Sequence, residues 1–240
     1  MQIRSLLAAL VLLAAAGRAA AETPEEYRAK LMQVVADCTK VIERDPKNAD
    51  AYFQRGAARF KLGQFAESVA DFDRQIELVP KAAAGHWQRG ISLYYAGRFE
   101  EGKKQFKRYE ETDTNDVENA VWHFLCAARK DGVEKARAAI LKIGNDKRTP
   151  MAEVYRLYKG ELEPADVLAA AQRDDLKGEQ RKHALFYAHL YLGLYHDVSG
   201  DKAKALEHMT EAAGKYRIDH YMGDVARVHE ELLRKEGKPK

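Results

Sequence analysis

Features of membrane spans and of nucleic-acid binding are scarce in this 240-residue sequence. A membrane span needs about 20 apolar residues, whereas the longest apolar run, from Leu6 to Ala16, is shorter. Forty Lys and Arg against 37 Asp and Glu leave a net charge of only +3, and binding to phosphate backbones usually needs a basic patch. We therefore expect no membrane span and no nucleic-acid partner.

Catalytic patterns are also lacking. The sequence has no G-x-S-x-G elbow, no phosphate-binding glycine loop and no dinucleotide fingerprint. Its two cysteines, Cys38 and Cys126, lie on packing faces of different helices, beyond the roughly 7 Å Cα separation that a disulfide allows. We expect two free thiols, no catalytic residue and no cofactor.

Histidine is more frequent, with eight residues. His189 and His196 stand seven residues apart, whereas helical zinc sites prefer closer spacing such as His-x-x-x-His. We interpret His189 as a structural residue between helices, and His208, His220 and His229 as solvated or interface residues, and expect no metal site. A histidine-dependent metal-binding or hydrolase-accessory protein stays an alternative.

The N-terminus predicts a secretory signal peptide over residues 1–21. Arg4 precedes the apolar run, and small residues end at Ala21, where we expect cleavage. No cysteine stands beside this cleavage site, so we expect no lipid anchor. The sequence predicts export of a soluble chain to a periplasm-like space or beyond.

The main positive feature is a 34-residue repeat. Six residues, Gln54, Arg55, Gly56, Gly63, Phe65 and Phe72, recur as Gln88, Arg89, Gly90, Gly97, Phe99 and Phe106. Gly56 and Gly90 stand in mid-helix, where glycine costs roughly 1 kcal/mol against alanine, so we expect close contact with a partner helix. Gly63 and Gly97 suit helix C-termini, and the phenylalanines suit one packing face of a second helix.

This period and residue pattern resemble tetratricopeptide repeats (TPR). The resemblance implies an all-α fold, a TPR-like α-solenoid of antiparallel helix hairpins without strands. In the first helix, Val34, Cys38 and Val41 are expected to face inward, and the final helix, about Tyr221 to Lys235, to cap the stack. The predicted divisions are residues 1–21, signal peptide; 22–47, half repeat; 48–81 and 82–115, two repeats; 116–147, a degenerate third repeat; 148–178, a degenerate helix pair; 179–219, a TPR-like C-terminal repeat; and 220–240, a capping helix with a tail.

The order from "RGISLYYAGR" to "FYAHLYLGLYHDVSGD" also resembles envelope TPR lipoproteins of the new lipoprotein I type, without their lipidated cysteine. That resemblance implies a non-enzymatic adaptor for protein or peptide partners, such as cell-envelope enzymes, and a homodimer as one form. The family assigns groove positions to eight residues that we predict to bind a partner: Phe53, Phe60, Trp87, Gln88, Ile91, Tyr94, Tyr95 and Trp122.

Three charged residues, Lys61, Glu118 and Arg129, flank this predicted aromatic groove. Aromatic residues are enriched in binding hot spots, so a bound peptide or helix is a reasonable hypothesis. The other interpretation is that the rings pack against neighbouring repeats or the C-terminal helix, and a self-assembling solenoid is a third. TPR domains that clamp a C-terminal carboxylate use Lys and Asn where this chain has Phe53 and Ala57, so we expect no such clamp.

Overall fold

The computed structural model describes residues 22–109 and 111–237, which form helices and no strand. The predicted signal peptide lies outside these residues. The helices are α1 (Pro24–Arg44), α2 (Ala49–Lys61), α3 (Phe65–Leu78), α4 (Trp87–Tyr95), α5 (Phe99–Tyr109), α6 (Val117–Asp131), α7 (Val133–Ala138), α8 (Met151–Tyr158), α9 (Pro164–Ala171), α10 (Gly178–Val198), α11 (Lys202–Ala213) and α12 (Tyr221–Glu236). Successive helices pack as neighbours, which confirms the TPR-like α-solenoid.

Helix ends follow the residues that the sequence places there. Thr23 and Glu26 form a capping box at the start of α1, which satisfies two free backbone N–H groups. Gly63 and Gly97 adopt φ angles of 79° and 74° after α2 and α4, a conformation that glycine takes at little cost. Pro164 opens α9, a position that suits proline. The division of the chain into repeats remains a prediction.

Close helix contacts explain the mid-helix glycines. A Cβ on Gly56 would lie 2.9 Å from the Phe72 ring, and one on Gly90 would lie 2.5 Å from the Phe106 ring. Both rings belong to the second helix of the same hairpin. Since real Cβ atoms do not approach carbon this closely, glycine is required for the edge of each ring to approach the backbone of the first helix.

The inward face of α1 differs from the expected one. Leu31 is buried and Cys38 half-buried, but Val34 and Val41 are 39% and 41% exposed. Residues are 100° apart around a helix. Val34 and Val41 therefore lie beside the face of α1 that packs against α2, and not on it. The prediction for these two valines was wrong, because in the described residues no helix precedes α1 to cover that side. Cys38 and Cys126 are free thiols, as predicted.

Helix α12 packs on α11 and also reaches α2, so it does more than cap the stack. Its Tyr221 ring stacks on Phe60 of α2 at 5.2 Å, and its His229 Nδ1 lies 3.0 Å from the Tyr95 hydroxyl of α4. Asp224 of α12 accepts a hydrogen bond from Tyr27 of α1 at 2.5 Å. The last helix therefore lies against α2 and α4 and contacts the first helix.

A buried carboxylate anchors the middle of α12. Asp197, at the end of α10, forms ion pairs with Arg129 of α6 and Lys202 of α11. His229 Nε2 lies 3.3 Å from the same carboxylate. Burial alone would raise the pKa of Asp197, but His229, Lys202 and Arg129 together lower it to about 2. Four helices thus meet at one ionised carboxylate.

The Gly90 contact can be tested by substitution. We expect Gly90→Ala to reduce the free energy of unfolding by about 1–3 kcal/mol, although alanine is the better helix former, because its methyl group enters the space of the Phe106 ring. Urea denaturation measures this change.

A double substitution provides the control. Phe106→Leu removes the ring edge that clashes, so Gly90→Ala should cost less in that background than in the natural chain. Equal costs in the two backgrounds would show that the ring contact does not explain the glycine.

Two buried histidines predict a pH dependence. Burial lowers the pKa of His86 and of His123 to about 4, against about 6.5 in the unfolded chain. Below pH 6.5 the unfolded chain therefore binds protons that the folded chain does not, and the free energy of unfolding falls as the pH decreases towards 4. Each histidine should contribute a slope approaching 1.4 kcal/mol per pH unit.

The measurement is urea denaturation between pH 7 and pH 4.5, for the natural chain and for His86→Asn. Asparagine suits the N-cap position that His86 occupies in α4 but does not titrate. A variant with the same pH slope as the natural chain would contradict the assignment to His86.

Candidate functional site

The chain itself covers most of the predicted aromatic groove. Phe60 is fully buried and Tyr94 is 4% exposed, and Tyr95 is packed between Phe60 and His229. Two of the charged residues that flank the predicted groove are also engaged: Lys61 pairs with Asp224 of α12, and Arg129 pairs with Asp197 and donates to the Tyr94 hydroxyl. Phe60, Tyr94 and Tyr95 thus contact α12 or the core, and Tyr94 and Tyr95 also line a second open depression beside α12.

A cavity of about 270 Å³ remains open where α12 begins. It is bounded by α4, α5, α6, the middle of α10, the start of α12 and the loop before α8. Its lining is mainly aromatic and charged: Trp87, Ile91, Phe106, Tyr109, Asp116, Glu118, Asn119, Trp122, Arg148, Tyr187, His220 and Met222. Three predicted partner-binding residues, Trp87, Ile91 and Trp122, therefore come together at this cavity.

Two polar atoms in the cavity wall have no hydrogen-bond partner among the described residues. They are the indole Nε1 of Trp122 and the amide Oδ1 of Asn119, on residues that are 2% and 5% exposed. A buried polar atom left unpaired costs about 1–3 kcal/mol. One unpaired donor and one unpaired acceptor thus belong to residues that line the same cavity.

Charged groups are gathered at one side of this cavity. Arg148 forms ion pairs with Asp116 at 2.7 Å, with Glu118 at 2.6 Å and with Asp146 at 2.5 Å. Glu118 also accepts a hydrogen bond from the Tyr191 hydroxyl. Three carboxyl groups surround one guanidinium group, so the site has more carboxylates than cations.

The pKa values of these carboxyl groups show where Arg148 outweighs the effect of burial. Burial raises the pKa of Glu118 and of Asp116, although Arg148 acts in the opposite direction. At Asp146, burial is outweighed by the hydrogen bonds and charge of Arg148, and the pKa is lowered. Burial lowers the pKa of His220, which favours a neutral imidazole. Arg148 therefore outweighs the effect of burial at Asp146 but not at Asp116 or Glu118.

The remaining predicted site residues lie elsewhere. Phe53 and Gln88 line a separate open depression beside His86, where Phe53 packs against Phe72 and His86. Those two residues do not share the cavity of Trp87 and Trp122. Their part in partner binding stays a prediction.

The histidines of the C-terminal repeat contact one another. His189 Nδ1 lies 3.1 Å from His208 Nδ1, and the His208 ring stacks on His196 at 5.4 Å. The structure thus brings His189 and His196 together through His208, a residue that we expected to be solvated or at an interface. In residues 22–109 and 111–237, no group of three or more His, Cys, Asp or Glu is arranged to hold a metal ion.

Comparison with known families gives one match. A tetratricopeptide repeat model matches residues 38–70, which run from the second half of α1 into α3. This part of the chain is similar to a TPR unit and supports a TPR protein. The TPR is generally a non-enzymatic, protein-binding fold.

No curated protein is similar enough to the chain to count as a match. Among the described helices, none combines the length and the apolar character needed to cross a bilayer.

Several cavity residues were not identified from the sequence. Asn119 lies three residues before Trp122 on α6, which places both on one helix face, so its position could have been inferred from that spacing. Arg148 and Asp146 lie in a loop between α7 and α8, and Tyr187 lies a full repeat further along the chain. The tertiary fold alone brings these distant residues to the cavity.

The cost of the unpaired Asn119 amide is measurable. Asn119→Leu replaces this amide with an apolar group of similar size, so we expect the free energy of unfolding to rise by about 1 kcal/mol and the melting temperature by about 2–4 °C. Differential scanning calorimetry measures both.

Asn115→Leu is the matched control, because the Asn115 Oδ1 accepts a hydrogen bond from the Asn145 backbone N–H at 3.0 Å. This control should not stabilise the chain. A lower melting temperature for Asn119→Leu would mean that the amide is satisfied in the folded protein.

Proposed function

We propose that this protein is an exported, non-enzymatic TPR scaffold that binds a partner protein at the open cavity between α4, α6 and α10. One observation carries this proposal. Trp122 Nε1 and Asn119 Oδ1 both lack a hydrogen-bond partner, and their residues line the same aromatic cavity. A segment of extended peptide has both an N–H donor, which the Asn119 oxygen could accept, and a C=O acceptor for the Trp122 N–H.

The tryptophan content supports a binding surface at this place. The sequence holds two tryptophans, and both line the cavity. Tryptophan is the residue type most enriched in binding hot spots, together with Tyr and Arg. Trp87 is half-buried, with its ring against Tyr221 and His220 of α12, so its remaining surface is available at the cavity.

The position of α12 limits the proposal to this cavity. A partner helix along the whole groove would have to displace contacts from Tyr27, Phe60 and Tyr95 to α12. The alternative of a self-assembling solenoid, or of a homodimer, predicts that the cavity is filled by a second copy of the chain. In that case the mature chain should be oligomeric in the absence of any other protein.

Capture of partners from an envelope extract of the source organism tests the proposal, with residues 22–240 as bait. We expect Asn119→Leu to weaken binding of a captured partner at least fivefold, because a partner polar group loses its acceptor. Since both tryptophans line the cavity, their fluorescence emission in titrations measures the dissociation constant directly.

The matched control is Gln180→Leu, the same kind of change at an exposed position of α10. It should bind as the natural chain does. Equal binding by the natural chain and Asn119→Leu would contradict the cavity as the partner site, and a concentration-dependent dimer in analytical ultracentrifugation that Asn119→Leu dissociates would favour the self-assembly alternative.

A further inference from the structure

The partner chemistry that suits the cavity follows from three properties of its wall. Its volume, about 270 Å³, lies below the 300–1,000 Å³ of sites for whole small-molecule ligands. A space of this size suits one long side chain of a protein partner. The chemistry of that side chain must match aromatic rings, a free amide oxygen and a set of carboxylates.

The charge of the wall favours a cation. Arg148 is the cationic side chain in the lining, and it already forms ion pairs with Asp116, Glu118 and Asp146. An anionic ligand would compete with three carboxylates for one guanidinium group. A cation would instead compensate Asp116 and Glu118, whose burial disfavours their ionised forms.

The rings favour the same ligand. Trp87, Trp122, Tyr109 and Tyr187 all line the cavity, and a guanidinium or ammonium group gains most from the faces of Trp and Tyr rings. A guanidinium group has five N–H donors and no acceptor, and the unpaired Asn119 Oδ1 is an acceptor. An arginine side chain would thus satisfy the free amide, the rings and the surplus carboxylates together.

We propose that the cavity recognises an arginine side chain of the partner protein, held between the Trp87, Trp122 and Tyr187 rings, the Asn119 amide oxygen and the carboxylates of Asp116 and Glu118. This inference rests on the proposed function, since it names the ligand of the same cavity. Trp122 Nε1 would donate to a backbone carbonyl beside the arginine. Lysine presents the same charge without the planar fork and binds more weakly.

Short peptides test the arginine site without knowledge of the partner. The probes are acetyl-Gly-Arg-Gly-amide and the same peptide with citrulline, which is neutral and nearly the same shape. Tryptophan fluorescence and calorimetry on the mature chain should give dissociation constants on the order of 1 mM for arginine, as expected for one anchored side chain, and at least tenfold weaker binding for citrulline.

Two variants locate the effect in the protein. Asp116 caps α6 by accepting from the Glu118 backbone N–H, and asparagine is an equally good N-cap, so Asp116→Asn removes charge while keeping the helix start. It should weaken arginine binding several-fold and leave citrulline binding unchanged. Glu100→Gln, at a half-buried position of α5 that pairs with Lys130 and does not line the cavity, is the charge-matched control and should leave both unchanged.

The outcomes separate this inference from the proposed function. Equal binding of the arginine and citrulline peptides would overturn the arginine site, while a partner whose binding is weakened by Asn119→Leu would still support the cavity. No binding of either peptide at 20 mM, with a captured partner insensitive to Asn119→Leu, would overturn both. Arginine binding that Asp116→Asn does not weaken would also overturn the assignment, since the charge would then act elsewhere.

Discussion

The position of α12 depends on the buried carboxylate of Asp197. Removing a carboxylate from water costs several kcal/mol unless it is well paired, and here Arg129, Lys202 and His229 surround it from three other helices. If any one of these three helices moved away, the carboxylate would lose a compensating group while it stayed poorly hydrated. The C-terminal helix is therefore held against α2 and α4, and its Asp224 also contacts Tyr27 of α1.

This packing of α12 divides the aromatic residues of the first helices into two sets. Phe60, Tyr94 and Tyr95 contribute to the folded core, where burial of a large side chain stabilises the structure by about 1.5–3 kcal/mol. Trp87 and Trp122 lie at the point where α12 begins. None of the described helices therefore fills the cavity that the two tryptophans line. The open cavity is thus a direct result of where the last helix starts.

The sequence predicts those features that depend on neighbours within one hairpin. The contact between Gly90 and Phe106, the cap at Gly97 and the bounds of α12 follow from spacing, because helical periodicity and the 34-residue repeat fix them locally. The path of α12 depends on contacts between parts of the chain up to 197 residues apart, such as Tyr27 with Asp224. No periodic pattern encodes such contacts. For the same reason Trp87 and Trp122 could be assigned to the site from the sequence, whereas Arg148 and Tyr187 could not.

The cavity gathers several groups whose local environment is unfavourable. Buried polar groups such as Ser68 and Gln105 find partners in their own or adjacent hairpins, whereas others outside the cavity, such as Gln75 Oε1 and His123 Nδ1, do not. At the cavity, an indole N–H and an amide oxygen stay unpaired beside two carboxylates that burial disfavours. Apolar residues of the same size would cost less there. Sites where a sequence keeps such locally unfavourable groups are expected to be functional ones, and here each group is of the kind that an arginine side chain with its peptide backbone would satisfy.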